Sequence, residues 1–137
     1  MDHEDKMLKE ILDSAVPWIG VDLDGTLAEY NGWVSQGHIG KPIWRMVNIV
    51  KRILERNIRV KIFTARAGFP KMEKPIQTWL EKAGLPSDLE VTNVKDHACI
   101  MIIDDRAVQV IRNKGFPILY EDTFGIFAPE DVSAIYE

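Results

Sequence analysis

Apolar positions along this chain form two kinds of pattern. Short continuous runs rich in β-branched residues alternate with stretches in which apolar residues recur every three or four positions. Residues 4–15 read as a helix, with Met7, Leu8, Ile11 and Leu12 on one stripe. Trp18 to Leu23 reads as a buried strand. Residues 28–41 contain Asn31, Gly32, Gly37 and Gly40 and read as a loop. Pro42 suits the first turn of a helix carrying Ile43, Val47, Val50 and Leu54, with Asn57 as its stop. Ile58 to Thr64 is a second strand. A helix follows over 71–83 through Ile76, Trp79, Leu80 and Ala83, with Pro75 in its first turn and Gly84 at its end. Leu89 to Asn93 forms a third strand. Cys99 to Ile103, the most apolar run, is expected at the centre of the sheet. A short helix over 105–114, stopped by Gly115, and a last strand from Pro117 to Tyr120 complete the pattern. Repeated strand–helix units imply an α/β fold of the three-layer Rossmann-like type, with a mainly parallel sheet and helices on both faces. Ligands of such sheets sit beyond the carboxyl ends of the strands.

Composition adds exclusions. The 137 residues contain no repeat, low-complexity tract or linker, so one domain over 1–137 is expected, with the 28–41 loop as a flap. Hydrophobic residues at 46% and charged residues at 28% are ordinary for a globular chain. A formal charge of −4 argues against a broad basic face, so no stable nucleic-acid partner is expected. A nucleotide in a small positive pocket remains compatible with it. Cys99, the only cysteine, forms no internal disulfide and reads as a structural thiol of a reducing compartment. The charged N-terminal stretch lacks the apolar core of a signal peptide. No apolar run reaches the roughly 18–20 residues of a bilayer span. The expectation is a cytoplasmic protein without a membrane partner.

The strand-end rule locates the candidate chemistry. The first strand runs into Asp22-Leu23-Asp24-Gly25-Thr26, the second into Thr64-Ala65-Arg66, and the apolar strand into Asp104-Asp105-Arg106. Lys95 lies in the loop before that last strand. Each feature has a plain structural explanation. Asp-x-Asp can be a turn, an aspartate of the pair can cap a helix, Thr64 can be a strand residue, and Lys95 can be a solvated charge. An EF-hand loop is excluded, because Thr26 and Leu27 stand where a ligand and a glycine are needed. Taken together at corresponding strand ends, these residues point to one site. Clustered carboxylates raise one another's pKa and disfavour the fold. A hard divalent cation removes that conflict, and an all-oxygen ligand set favours Mg²⁺. Carboxylates, Mg²⁺ and a lysine suit a phosphoryl group.

These residues resemble the haloacid dehalogenase-like superfamily. VDLDGTL at 21–27 looks like its first motif, Thr64 in IFTAR is similar to its second, Lys95 in TNVKD matches its third, and IIDD at 102–105 looks like its fourth. The resemblance implies a Mg²⁺-dependent phosphate monoester hydrolase. Asp22 is then the nucleophile that forms an aspartyl-phosphate, and Asp24 is the acid and base. Asp22, the Asp24 carbonyl, Asp104 and Asp105 would hold the metal. Thr64 and Lys95 would hold the phosphate, and Arg66 is a further candidate for substrate binding. The second aspartate, Asp24, separates the phosphatase branch from the dehalogenases. The intervals 27–63 and 65–94 leave no room for a full cap domain. An open site is expected, closed by the 28–41 loop or by another subunit of a homo-oligomer. It would take a small-molecule or macromolecular phosphate ester, such as a nucleotide or sugar phosphate. A short stretch from Lys95 to Arg106 is similar to the deoxyribonucleotidase branch, whose helical cap this chain lacks. Transfer of the phosphoryl group to another acceptor, and non-catalytic phosphate binding, are the alternatives. Tyr30 and Trp33 are expected to anchor the loop, His38 and His97 to be solvated, and Trp44 and Trp79 to pack. No Walker A or G-x-G-x-x-G sequence is present.

Overall fold

Acidic residues in the first turn and an Asp2 carboxylate accepting the Asp5 N–H at 2.8 Å start helix α1 (His3–Ala15) where the pattern places it. The computed structural model describes residues 2–119 and 121–132, and only the backbone of 10–15. Of the expected apolar stripe, Met7 and Leu8 are exposed. The side chains of Ile11 and Leu12 lie outside the described residues, as does Tyr120.

Strand β1 (Trp18–Val21) is buried along its whole length. It is shorter than the apolar run, because the chain turns back after Asp22, with the Thr26, Leu27 and Ala28 N–H groups all donating to the Leu23 carbonyl. Helix α2 (Trp44–Glu55) begins two residues beyond Pro42, which instead bridges to Ala28. It is followed by Asn57 in the left-handed region at φ 59°. Strand β2 (Arg59–Phe63), helix α3 (Glu73–Lys82) and the brief strand β3 (Val91–Thr92) follow, with Pro75 in the first turn of α3 as expected. Strand β4 is Cys99–Ile103.

The four strands make one sheet in the order β3-β2-β1-β4, with every pair parallel. Cys99–Ile103, expected at the centre of the sheet, lies instead at an edge, and Ile100 and Met101 are 62% and 54% exposed. Apolarity alone does not set strand order; β1 takes an inner position because it pairs with both β2 and β4.

Side chains alternate across a strand. Ile19, Val21, Val60 and Ile62 join Val47 and Val50 of α2 and Ile76, Trp79 and Leu80 of α3 in one buried cluster. Both helices thus share one face, where the pattern suggested helices on both. The other face carries Trp18, Lys61 and Phe63, with the two rings 6.4 Å apart and the Lys61 ammonium 4.5 Å from the Trp18 ring. Asp96, in the segment joining β3 to β4, accepts the Trp18 indole N–H at 2.8 Å. Lys61 is buried and pairs with Glu90 at 3.0 Å, which satisfies a charge that would be costly alone.

Backbone contacts gather into two units, Met1–Asp105 and Arg106–Glu137. In the second unit the expected helix over 105–114 is replaced by a hairpin, in which β5 (Gln109–Val110) pairs antiparallel with β6 (Pro117–Ile118). Asn113 at φ 62° and Gly115 at φ 76° turn the chain between them, and the β-branched residues on either side suit strands. The last strand therefore belongs to this hairpin. A 3-10 turn spans Pro129–Asp131.

Candidate active site

The register of the sheet builds the site. Val21 pairs with Ile103, so Asp22 and Asp104 leave the carboxyl ends of adjacent parallel strands side by side. The Asp22 N–H still donates to the Ile103 carbonyl at 2.9 Å, holding the two ends together. Asp22, Asp104 and Asp105 each offer an oxygen within 4.8 Å of the others.

Thr26 locks this cluster. Its hydroxyl lies 3.3 Å from an Asp22 oxygen and 3.2 Å from an Asp105 oxygen, and it accepts the Asp105 N–H at 3.1 Å. The residue is buried. Gly25 allows the approach: it sits at φ 89°, and a Cβ there would fall 2.5 Å from an Asp105 oxygen.

Crowding has an electrostatic consequence. Burial first, then a hydrogen bond with Asp105 and the negative charges of Asp104 and Asp105, push the Asp22 carboxyl up from 3.8 to about 7, against a backbone hydrogen bond from Leu23. Like charges forced together in a partly desolvated site disfavour ionisation. A hard cation among these oxygens would reverse that, and the all-oxygen donor set fits Mg²⁺.

Asp24 is tied differently. Arg66 donates from Nε to Asp24 Oδ2 at 2.7 Å and from Nη2 to Oδ1 at 3.0 Å, a fork on both carboxylate oxygens. The same guanidinium donates to the carbonyls of Gln36 at 2.5 Å, His38 at 2.8 Å and Ser35 at 3.4 Å. Arg66 is 4% exposed and lies 5.0 Å from the Trp33 ring, which packs on Phe69. An arginine has five N–H donors, and all are engaged here. Arg66, a candidate for substrate binding, thus holds Asp24 and the 28–41 loop. Trp33, expected to anchor that loop on the core, is instead 52% exposed, with its ring against Arg66 and Phe69.

Thr64 is buried at the end of β2, its N–H on the Thr92 carbonyl and its hydroxyl accepting the Arg66 N–H at 3.1 Å. Among the described residues no acceptor takes the hydroxyl proton. Lys95 leaves the carboxyl side of β3, is exposed, and forms no ion pair among the described residues. The sheet therefore brings Asp22, Asp104 and Asp105 together, ties Asp24 to Arg66, and leaves Lys95 outside these contacts.

In the sequence Thr26 has no role beyond its place in the motif, although its position four residues after Asp22 is a usable signal. The loop carbonyls that hold Arg66 have no side-chain signature at all. Beside Asp24 and Arg66 the loop encloses a cleft of about 320 Å³, lined also by Tyr30, Val34, His38 and Lys41. No protein-family model, curated protein or solved structure matches this chain.

Proposed function

We propose that this chain is a Mg²⁺-dependent phosphate monoester hydrolase of the haloacid dehalogenase-like type. The observation that carries this reading is the Asp22, Asp104 and Asp105 cluster, three carboxylates within 4.8 Å at the ends of adjacent parallel strands. Carboxylates so placed disfavour one another unless a cation joins them. Asp22, Asp104, Asp105 and the Asp24 carbonyl would hold the metal. When bound, Mg²⁺ offsets the charge of these carboxylates and of the phosphoryl oxygens.

The residues act in two steps. An Asp22 oxygen attacks phosphorus, the bond to the ester oxygen breaks, and Asp24 gives that oxygen a proton. A water oxygen then attacks the phosphorus of the aspartyl-phosphate, Asp24 takes the water's proton, and inorganic phosphate leaves with Asp22 restored. Arg66 fixes the position of Asp24 by its fork on both oxygens, and Asp24 must yield one of these bonds when it carries the proton. Thr64 donates its hydroxyl to a phosphate oxygen, and Lys95 supplies the positive charge that this reading requires.

The test is hydrolysis of an aryl phosphate with Mg²⁺, with chelator, and by Asp22→Asn. Turnover that needs Mg²⁺ and disappears in the variant is expected, together with beryllium fluoride bound at Asp22 and visible by fluorine NMR. Wild-type turnover by Asp22→Asn would overturn the nucleophile assignment.

A further inference from the structure

A second cleft lies next to the first in the same unit. It measures about 460 Å³ and is lined by the loop residues Gly37, Ile39, Gly40, Lys41 and Pro42 together with α3 residues that include Lys74, Thr78 and Lys82. Ile39, Gly40 and Lys41 line both clefts, so the two adjoin along this segment, and Asp24 lines the first. The Trp79 indole donates to the Gly40 carbonyl at 2.7 Å and fixes the shared wall.

The charge of the second cleft is one-sided. Lys41, Lys74 and Lys82 line it and, among the described residues, no acidic residue does, in a chain whose net charge is −4. The cause is the charge pattern of α3. Lys74, Thr78 and Lys82 fall on one i, i+4 row, while Glu73, Gln77 and Glu81 fall on the neighbouring row. None of the three lysines forms an ion pair among the described residues. Three ammonium groups without an ion pair among the described residues, and a hydroxyl, beside a cleft are complementary to an anion.

We propose that this lysine-lined cleft binds a second anionic group of the substrate, remote from the phosphate that reacts. The proposal rests on the hydrolase reading above and narrows its substrate class to phosphate monoesters with another phosphate further along the molecule. The second phosphate can come from a small bisphosphate or from the backbone of a nucleic-acid end. The chemistry recognised is the same in both.

The experiment compares wild type with Lys74→Gln/Lys82→Gln on an aryl phosphate, a hexose bisphosphate and a short single-stranded oligonucleotide with a terminal phosphate. The ratio of kcat/KM for one of the two-phosphate substrates to that for the aryl phosphate is expected to fall about tenfold in the variant, and the wild-type ratio to fall as salt rises. Loss confined to the bisphosphate identifies a small-molecule source; loss confined to the oligonucleotide identifies a polymer end. An unchanged ratio for both substrates overturns the proposal. A binding measurement separates this outcome from failure of the hydrolase reading. Asp22→Asn protein is titrated at low salt with the bisphosphate and with a labelled oligonucleotide lacking a terminal phosphate. Binding weakened by the lysine substitutions upholds the cleft even without turnover. Absence of binding by both probes, or binding indifferent to the lysines, overturns it.

Discussion

Arg66 uses all five of its N–H donors inside the protein, two on Asp24 and three on carbonyls of the 28–41 loop. That saturation makes it a positioning residue and leaves no donor for a phosphate. Lysine keeps the charge but not the fork. Arg66→Lys is therefore expected to lower kcat about tenfold, since misplacing an acid–base group is costly, and to speed amide exchange at 35–38. Wild-type exchange and kcat in this variant would remove the positioning role. Gly25 presents a separate constraint. A methyl group there would sit at φ 89° and 2.5 Å from an Asp105 oxygen. Gly25→Ala should cost about 1–3 kcal/mol in chemical denaturation, with the carboxylate cluster displaced; a loss below that range would show that the turn adapts. The gathering of Asp22, Asp104 and Asp105 was legible in the sequence because each follows an apolar run at a strand end. The Arg66 clasp was not, since its loop partners are backbone carbonyls that any residue supplies.

At the scale of elements, periodicity located α1, α2, α3 and the four strands of the sheet, and it misplaced what periodicity does not encode. Order within a sheet depends on crossover paths, so the apolar Cys99–Ile103 strand looked central and lies at an edge. The 105–114 segment offered both helical spacing and β-branched residues, and Asn113 and Gly115 decided for a hairpin by taking positive φ. Lys61 broke the apolar pattern of β2 without breaking the strand, because Glu90 and Trp18 accommodate its charge. The link between α3 and the loop is equally local. Trp79 keeps the Gly40 carbonyl at 2.7 Å from its indole nitrogen while the ring packs in the core. Trp79→Phe removes that donor and retains most of the packing. It should cost about 1–3 kcal/mol, the penalty of a lost bond and an unpaired carbonyl, and should raise exchange at 37–41. A stability change without a change in loop exchange would show that packing alone tied the loop to α3.

For the molecule as a whole, the carboxylate cluster links stability to pH and, under the proposed reading, to Mg²⁺. Asp22 is raised from 3.8 to about 7 in the folded chain. Between these values the folded state holds a proton that the unfolded state has lost, so folding stability falls as pH rises through this window. The cost is absent below about 4 and fully present above about 7. Asp22→Asn has no such proton, so its stability relative to wild type, measured without metal, should rise across the same window. Mg²⁺ bound to the ionised cluster, as proposed above, would act in the opposite sense and stabilise the fold by mass action. The increase in Tm produced by Mg²⁺ over chelator should therefore be larger at pH 8 than at pH 5. Asp104→Asn should diminish it at both. Calorimetry of the three proteins at the two pH values, each with Mg²⁺ and with chelator, decides the matter. An increase of equal size at pH 5 and pH 8, or one untouched by Asp104→Asn, would mean that the metal binds elsewhere, and the proposed reaction would then lack its charge compensation at Asp22.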